Sequence, residues 1–390
     1  MAAASPTAQV KPPFWRNVRV LRWAFQAVFL FLVIVFLLYL WGNLTGNLER
    51  LGIRTDFRFL RQPAGFAIPD SDFRSSQSVW DAFLVGARNT AVVSILGIVF
   101  ATILGVLVGV ARLSSNWLVR RAAALYVETL RNIPVLIIII FWWAGILIRL
   151  PSLDENELFG LVNLSNRGLV LPWLDRTGDL TLFLVVVLVT TVAAALVIRW
   201  RTRRFDATGQ PHHRVLWGLG VALAGVTLAY LVAGRPFTTS LPEVGSFGTT
   251  GGFRLSPEFG ALLIALTLYT ASHIAEIVRG SILSVQQGQS EASNALGLSG
   301  FQRLRHVVLP QAFRVSVPPL ANQYLNLTKN SSLGIAIGYY ELTRIARISI
   351  SQAAPAPQAT LVLMLFYLAF SLFIALVTNI VNRRLEIKGR

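Results

Sequence analysis

The feature that most restricts the fold of this chain is a series of apolar segments, each about as long as a bilayer is thick. A helix needs about 20 mostly apolar residues to cross the hydrocarbon core of a membrane. Seven segments fit this length: 23–41, 88–111, 125–148, 180–198, 215–234, 260–280 and 359–381. The third is taken as one helix that begins near Leu125. An eighth and weakest segment, 316–338, is interrupted by Pro318, Pro319 and the polar run 328–332. The sequence therefore predicts an all-α polytopic membrane protein with about eight transmembrane helices.

The composition agrees with a lipid environment. Hydrophobic residues make up 54% of the 390 residues and charged residues 14%, whereas soluble domains have roughly 25% charged residues. The formal charge of +17 does not indicate a nucleic acid partner, because the basic residues lie between apolar segments and not on a soluble domain. The chain has no cysteine, which excludes a disulfide framework and a thiolate metal or redox site. No metal site is predicted.

The distribution of basic residues predicts the topology. If the N-terminus is cytoplasmic and eight spans alternate, the inner segments hold 20 Lys and Arg and the outer segments 12, while acidic residues number 3 inside and 13 outside. Cytoplasmic segments of membrane proteins carry such an excess of basic residues, so both termini are expected in the cytoplasm. The first apolar run resembles a signal peptide, but its length and the lack of a cleavage site favour an uncleaved anchor.

The chain divides into four parts on this basis. The parts are an anchor with an outer loop (1–82), the first part of a core (83–150), inserted loops with two extra spans (151–258), and the second part of the core (259–390).

Three of the connections have further predicted features. We expect a short surface helix within 42–82 and a flexible loop at 245–252. The basic inner loop 199–204 is either a topology and lipid-headgroup anchor or a regulatory site.

Several kinds of chemistry are absent from the sequence. It contains no phosphate loop of the form G-x-x-x-x-G-K-[ST], so this chain cannot bind ATP through one. It also contains no HExxH and no Gly-x-Ser-x-Gly. His212 and His213 are interpreted as loop surface, and His273 as a packed or hydrogen-bonded helix residue. The sequence predicts no catalytic site.

The polar loop 281–312 between two apolar segments is the most informative part of the chain. A candidate helix over 291–296 is ended by Gly297, a good C-terminal residue. A capping box that starts at Ser299 predicts a second short helix, and Pro310 suits the first turn of the next membrane helix. The loop is therefore expected to be a helix-turn-helix element at the inner surface, which either docks a cytoplasmic partner or lies against headgroups.

The residues of this loop resemble the EAA loop found in permease subunits of ATP-binding-cassette importers. The match consists of Glu291-Ala292-Ser293, then Gly297, then Leu309-Pro310. Further segments resemble the polar amino acid permeases, a histidine-permease-like family, and the resemblance covers 83–150 and 260–388. These segments are 86–90, 128–134, 276–280, 288–292, 309–312 and 329–333.

The chain departs from the family pattern in two respects. Ser293 stands where the motif has alanine, a small change that should still pack. Typical members have five spans, whereas this chain adds an N-terminal span and two more within 180–234. The enlarged layout is similar to the longer permeases for general L-amino acids or for glutamate, glutamine, aspartate and asparagine. The resemblance implies a five-helix type I importer permease core with these helices outside it.

The resemblance also implies partners and roles. A separate cytoplasmic ATPase would bind ATP and Mg, with no cofactor on this chain, and would contact Glu291. A second homologous permease, with a heterodimer favoured, and a periplasmic amino acid-binding protein would complete an importer of the bacterial inner membrane. Ala292 and Ser293 would allow close helix approach, and Gly297 would set the turn. The predicted ATPase-coupling residues are Glu291, Ala292, Ser293, Gly297, Leu309 and Pro310.

An amino acid substrate carries a carboxylate and an ammonium group, and polar groups within membrane spans are functional candidates. Glu276 and Arg279 are interpreted as a structural pair three residues apart. Pro134 and the prolines at 318–319 are plausible bending points, and Gly105-x-x-x-Gly109 is a close-packing pattern. The candidates for the substrate pathway, each with a structural role as the alternative, are Arg131, Lys329, Asn330, Ser331 and Glu128.

Two other classes of function would leave different signals in the sequence. An independent secondary transporter or channel would predict inverted repeats or paired broken helices in both halves of the chain, whereas the sequence indicates a break only near 328–332. A membrane-embedded enzyme would need a catalytic cluster near one surface. The sequence favours the permease subunit of an ATP-driven amino acid importer.

Overall fold

The computed structural model describes residues 18–52, 56–152, 157–158, 162–209, 213–245, 248–352 and 354–385. Helices dominate this part of the chain because backbone groups in lipid must be hydrogen-bonded within their own segment. In chain order the helices are α1 (Val18–Arg50), α2 (Val79–Ala111), α3 (Trp117–Asn132), α4 (Val135–Ile140), α5 (Leu180–Thr208), α6 (Arg214–Val232), α7 (Pro257–Leu283), α8 (Gln287–Ala295), α9 (Gly300–Arg303), α10 (Leu309–Asn330), α11 (Leu342–Ser351) and α12 (Ala356–Leu385).

Six of the described helices are long and apolar enough to cross a membrane, namely α1, α2, α5, α6, α7 and α12. Five of them cover their predicted apolar segments and extend beyond them at one or both ends, whereas α6 ends two residues before the predicted bound at 234. A seventh span results if α3 and the helical stretch from Val135 to Arg149 are counted together. The helical membrane fold is thus confirmed, and the predicted number of eight spans is approximate.

The prediction of one continuous helix over 125–148 is wrong. α3 ends at Asn132, and the next helical stretch, which starts as α4 at Val135, is bent from it by 105°. Ile133 is extended, with φ −97° and ψ 128°, because the ring of a following proline disfavours the helical conformation. Pro134 therefore breaks the segment. After α4, a π-helical turn (Phe141–Ile146) and a 3-10 turn (Leu147–Arg149) complete it.

The weakest predicted span has different bounds from those expected. The segment 316–338 was predicted as one span, whereas α10 begins at Leu309 and ends at Asn330. A 3-10 turn over Ser331–Ile337 replaces the rest. Pro318 and Pro319 lie inside α10, and its polar residues explain why this helix is not among the six most apolar ones.

The core of the chain is built on the pair α2 and α7. A Cβ atom at Gly105 would lie 2.6 Å from Ile274 Cβ, and one at Gly109 would lie 2.7 Å from the carbonyl oxygen of Ala275. Only a residue without a side chain allows the helix backbones to approach this closely. The geometry confirms the close-packing interpretation of Gly105-x-x-x-Gly109. Around this contact lie the fully buried side chains of Val93, Ile139, Leu262, Leu266, Ile274 and Leu327.

The connections 151–179 and 235–256 contain short β-strands where the sequence analysis expects loops. They are β1 (Glu157–Leu158), β2 (Val162–Ser165), β3 (Gly168–Leu171), β4 (Trp173–Arg176), β5 (Phe237–Ser240), β6 (Glu243–Gly245), β7 (Gly248–Thr250) and β8 (Phe253–Leu255). All pairings are antiparallel, in the orders β1-β2-β3-β8, β4-β5 and β6-β7. The expected flexible loop at 245–252 is therefore partly a β6-β7 hairpin, and residues 246–247 lie outside the described residues. The short surface helix expected within 42–82 is a 3-10 turn at Arg58–Arg61.

The three extra spans lie outside this core. None of the most apolar window of α1 is buried inside the chain. α5 and α6 pack against each other through Gly225, where an added Cβ would lie 2.3 Å from Thr190 Cβ. β4, just before α5, pairs with β5, just after α6. Large apolar side chains on the remaining faces are exposed, as expected for surfaces that contact lipid or another membrane subunit.

Candidate coupling loop and membrane groove

The loop between α7 and α10 forms a short helix that projects from the core. α8 begins at Gln287, four residues before the predicted start at Glu291, because the polar stretch 287–290 continues the helix instead of connecting to it. Gly297 follows with φ +73°, the left-handed conformation that glycine adopts without strain. The end of the predicted helix at this glycine is confirmed.

The second half of the loop is a continuation of α10. The Ser299 hydroxyl accepts a hydrogen bond from the Gln302 backbone N–H, and the Gln302 side chain accepts one from the Ser299 N–H, so the predicted capping box is present. However, the expected separate short helix is wrong. α9 passes through a π-helical turn (Leu304–Val308) directly into α10. Pro310 lies in the first turn of α10, as predicted.

Hydrogen bonds fix α8 against this continuous helix. Arg303 Nη1 donates to Asn294 Oδ1 over 2.8 Å, and Leu298 N donates to the carbonyl oxygen of Ser293 over 3.1 Å. The Ser293 side chain is buried, and its hydroxyl donates to the carbonyl oxygen of Ser290 over 2.8 Å. The small residue at the third motif position therefore packs against its own loop, as expected for serine in place of alanine.

Several side chains of α8 and of the turn and helix after it are exposed. Glu291 and Ala292 are exposed, and in the described part of the chain Glu291 forms neither a hydrogen bond nor an ion pair. Leu296, just after α8, is 80% exposed, and Phe301 on α9 is 70% exposed. We call Glu291, Ala292, Leu296 and Phe301 the α8 surface. A short loop that exposes a carboxylate and two large apolar side chains offers a soluble protein groups to bind.

At the root of this loop three charged residues form one cluster. Glu276 on α7 accepts hydrogen bonds from Arg279 Nη2 at 2.5 Å and Nε at 3.1 Å. The second oxygen of Glu276 pairs with Arg112, which follows the last residue of α2. The Glu276–Arg279 pair inferred from the sequence is present. Its third member was missed, because 164 positions separate Arg112 from Glu276 and no local pattern connects them.

A membrane groove of about 850 Å³ lies between α2, α10, α12 and the end of α7. Its lining is almost entirely apolar, and Leu309 at the start of α10 is part of it. Thr102 Oγ1 and Tyr324 Oη lie 3.0 Å apart within it, and the buried hydroxyl of Ser94 has no hydrogen-bond partner in the described structure. The hydroxyl groups that line the groove come from Ser94, Thr102, Ser281, Ser316, Tyr324, Thr328 and Thr378.

The five predicted pathway residues do not line this groove. Glu128 and Arg131 are exposed on α3, one helical turn apart. Lys329 is exposed at the end of α10, Asn330 is half-buried, and Ser331 is buried and donates to the carbonyl oxygen of Thr328 over 2.7 Å. Among the described residues no hydrogen bond or ion pair joins the α3 pair to the α10 group. The α3 pair and the α10 group are therefore two separate groups of polar residues.

The prediction that His273 is a packed or hydrogen-bonded helix residue is confirmed. His273 Nδ1 lies 3.0 Å from the carbonyl oxygen of Tyr269, one turn earlier on α7. It is a hydrogen-bonded helix residue. His213 is exposed before α6, and His212 lies outside the described residues. Among the described residues, no three His, Cys, Asp or Glu side chains lie together in a way that could hold a metal ion.

Sequence analysis also missed a buried carboxylate at the far end of the core. Glu341 is fully buried and caps α11, accepting from Thr343 N and Arg344 N, both at 2.8 Å, and from Tyr367 Oη at 3.0 Å. Burial raises the pKa of this carboxyl group to about 7. An acidic residue just before a helix is an N-cap signal, but its burial depends on α12, which follows later in the chain.

The segment around Glu341 is tied to α2 by residues of the motif at 86–90. Asn89 Nδ2 donates to the carbonyl oxygen of Tyr340 over 2.8 Å. The hydroxyl of Thr90 accepts from the backbone N–H of Leu342 over 3.2 Å. Polar residues within an apolar helix thus satisfy backbone groups of an irregular segment. This motif has a structural role that the sequence alone did not assign.

These features define a polytopic helical subunit with a helical loop exposed to water and a groove at its root. The family of inner membrane components of binding-protein-dependent transport systems matches residues 250–387. Three curated relatives match nearly the whole chain. The general L-amino acid transport system permease protein AapQ of Rhizobium johnstonii is 41% identical, over 94% of this chain and 92% of the relative.

Two further relatives have similar coverage. The putative amino-acid ABC transporter permease protein YhdX of Escherichia coli K12 is 39% identical over 96% of both chains. The glutamate/glutamine/aspartate/asparagine transport system permease protein BztB of Rhodobacter capsulatus is 36% identical, over 94% of this chain and 93% of the relative. This chain therefore belongs to the family of inner membrane components of binding-protein-dependent transport systems, which are permease subunits of ATP-binding-cassette transporters. It is an inner membrane protein. The family resemblance drawn from the motifs is confirmed.

Proposed function

We propose that this chain forms part of the translocation pathway of an ATP-driven amino acid importer and couples to a separate ATPase through α8. The observation that carries the proposal is identity of 36–41% to three permeases whose names specify amino acid transport, over more than 90% of each chain. The substrate is therefore an amino acid. ATP and Mg bind to the partner ATPase.

The α8 surface supports the coupling role. Its exposed carboxylate and apolar side chains give a partner both charge and shape to recognise, while the hydrogen bond from Arg303 to Asn294 joins α8 to α9. A partner that moves α8 would move α10 with it, because the chain is helical from Gly300 to Asn330. α10 lines the membrane groove. The groove is the proposed route by which coupling reaches the transport pathway.

The proposed assembly has further members. A second homologous permease, with a heterodimer favoured by the resemblance to the longer permeases, would cover the groove, and a periplasmic amino acid-binding protein would deliver substrate. Both termini are cytoplasmic in this proposal. Arg131, Lys329, Asn330, Ser331 and Glu128 remain candidate pathway residues, which would act where the two permeases meet and not within the groove of this chain.

The experiment is mild extraction of the full chain from its native membrane, followed by identification of bound proteins and measurement of ATP-dependent uptake in liposomes. We expect a phosphate-loop ATPase to remain bound and to be lost with Glu291→Lys, with membrane insertion unchanged. Gln287→Lys is the control, because Gln287 is exposed on the same helix and outside the α8 surface. It changes the charge by one unit, whereas Glu291→Lys changes it by two, so Glu291→Gln is measured beside it as the one-unit change at the surface. A chain that extracts alone and moves amino acids down an ion gradient would instead be a secondary transporter.

A further inference from the structure

The α5–α6 hairpin carries a cluster of arginine and tryptophan at one end. The guanidinium of Arg201 lies over the ring of Trp217 on α6, and that of Arg204 lies over Trp200, each 4.3 Å from the ring centroid. We call Trp200, Arg201, Arg204 and Trp217 the arginine–tryptophan patch. Stacking on an indole fixes the direction of a long, flexible cation. The two arginines are thus arranged as a built surface and not as loose charges.

A groove of about 500 Å³ adjoins this patch along one face of α6. Trp217 belongs to both features, and Leu216 and Trp217 are 66% and 54% exposed. A Cβ at Gly220 would meet nothing within 4 Å, so this position is the open floor of the groove. The lining residues are His213, Leu216, Trp217, Gly220, Val221 and Ala224. We call it the α6 groove.

The location of the groove restricts what can occupy it. Most of it lies within the candidate span Val215–Val232, where a water-soluble ligand cannot reach. Its other end meets a stretch with four arginines in six residues, 199–204, with one acidic residue, Asp206, nearby. The occupant must therefore combine an apolar chain with an anionic head. Tryptophan and arginine at the boundary of a span suit this role, because both have apolar bodies and polar ends.

We propose that the patch and the α6 groove bind one anionic phospholipid. The phosphate accepts hydrogen bonds from Arg201 and Arg204, since guanidinium groups pair with phosphate in a planar, two-point geometry. One acyl chain lies along Gly220 and Ala224. The proposal does not depend on the transport function, and it gives the inserted hairpin a ligand of its own. It differs from a general basic anchor because it requires particular arginines and a filled groove.

The test is native mass spectrometry of the full chain in detergent, with whatever subunits remain bound. Dioleoyl phosphatidylglycerol, dioleoyl phosphatidylcholine and inorganic phosphate are titrated separately. We expect one phosphatidylglycerol to bind in preference to phosphatidylcholine, and inorganic phosphate alone not to compete. Arg201→Gln should lower the affinity for phosphatidylglycerol about tenfold, the factor that corresponds to about 1.5 kcal/mol for one hydrogen bond to a charged group.

Two variants make the test specific. Gly220→Leu fills the groove without touching α5 and should reduce the occupancy to a similar degree. Arg203→Gln removes the same charge from the same stretch but has no indole contact in the described structure, so it should leave the occupancy unchanged. Equal losses for Arg201→Gln and Arg203→Gln, or no effect of Gly220→Leu, would overturn the proposal. Loss of a bound protein subunit with Arg201→Gln would assign the patch to a protein partner and overturn it as well.

Discussion

The contact between α2 and α7 allows a prediction whose size can be worked out from distances. An alanine Cβ at Gly105 would lie 2.6 Å from both Cβ and Cγ2 of Ile274 and 3.0 Å from the carbonyl oxygen of Ala271. Carbon atoms are most stable about 3.5–4.0 Å apart, so the helices must separate by about 1 Å. Rotation of the Ile274 side chain gives no relief, because its Cβ is fixed to the backbone.

We expect Gly105→Ala to lower the free energy of unfolding by about 1–2 kcal/mol. Overpacking a tight core costs about 1–3 kcal/mol, and the better helix propensity of alanine offsets about 0.5–1 kcal/mol of it. Gly97→Ala should be milder, since its Cβ would lie 3.2 Å from Cδ2 of Leu327, the tip of a flexible side chain. The matched control is Gly280→Ala on α7, where nothing lies within 4 Å and no loss is expected.

The assay is thermal or denaturant unfolding of the purified chain in one detergent, with the three variants measured side by side. The expected order of stability is Gly280→Ala, then Gly97→Ala, then Gly105→Ala. The order matters more than the absolute values, because detergent changes all three equally. If Gly105→Ala is as stable as Gly280→Ala, the two helices are not in the close contact described here, and the argument from backbone approach fails.

Three further predictions concern other parts of the chain. Glu276→Gln should destabilise the chain more than Arg112→Gln in detergent melts. The first variant leaves both arginines without a carboxylate, whereas after the second Glu276 still pairs with Arg279. Pro134→Ala should reduce the bend between α3 and α4, measured as a longer distance between spin labels on single cysteines at Trp117 and Arg149, which the cysteine-free sequence permits; an unchanged distance would mean that packing and not Pro134 sets the bend. Because burial raises the pKa of Glu341 to about 7 from 4.5, the native state keeps a proton that the unfolded chain releases. The free energy of unfolding should therefore fall as pH rises from about 4.5 to 7, and Glu341→Gln should remove this slope in melts across that range.

Much of the local structure could be predicted because its causes are local. The apolar segments specify most of the spans, Gly297 ends α8, and the capping box at Ser299 starts α9. Each of these signals acts within a few residues. The sequence contains two opposing signals at 125–148, an apolar run that favours one long helix and Pro134, which disfavours a helical residue before it. The structure shows that the restriction on Ile133 prevails.

The rest depended on contacts between distant parts of the chain. Arg112 joins the Glu276 pair because α2 and α7 pack in register, and Glu341 is buried because α12 covers it. The short outer strands pair across two inserted spans, as β4 with β5. A single sequence contains no direct signal for such pairings. For the same reason the groove was not predicted, because its apolar and hydroxyl-bearing lining comes from helices that are far apart in the sequence.

The two ends of α10 differ in how firmly they are tied to the rest of the chain, and this difference bears on how coupling would work. After its C-terminal end, which is the far end from the loop, residues 340–342 are hydrogen-bonded to α2 through Asn89 and Thr90 and to α12 through Glu341. Its near end continues into the loop that carries the exposed α8 surface. Pro318 and Pro319 lie between the two ends and remove backbone hydrogen bonds there. We infer that a force on α8 bends α10 at these prolines, so that the near half of the groove changes width while the far half keeps its position.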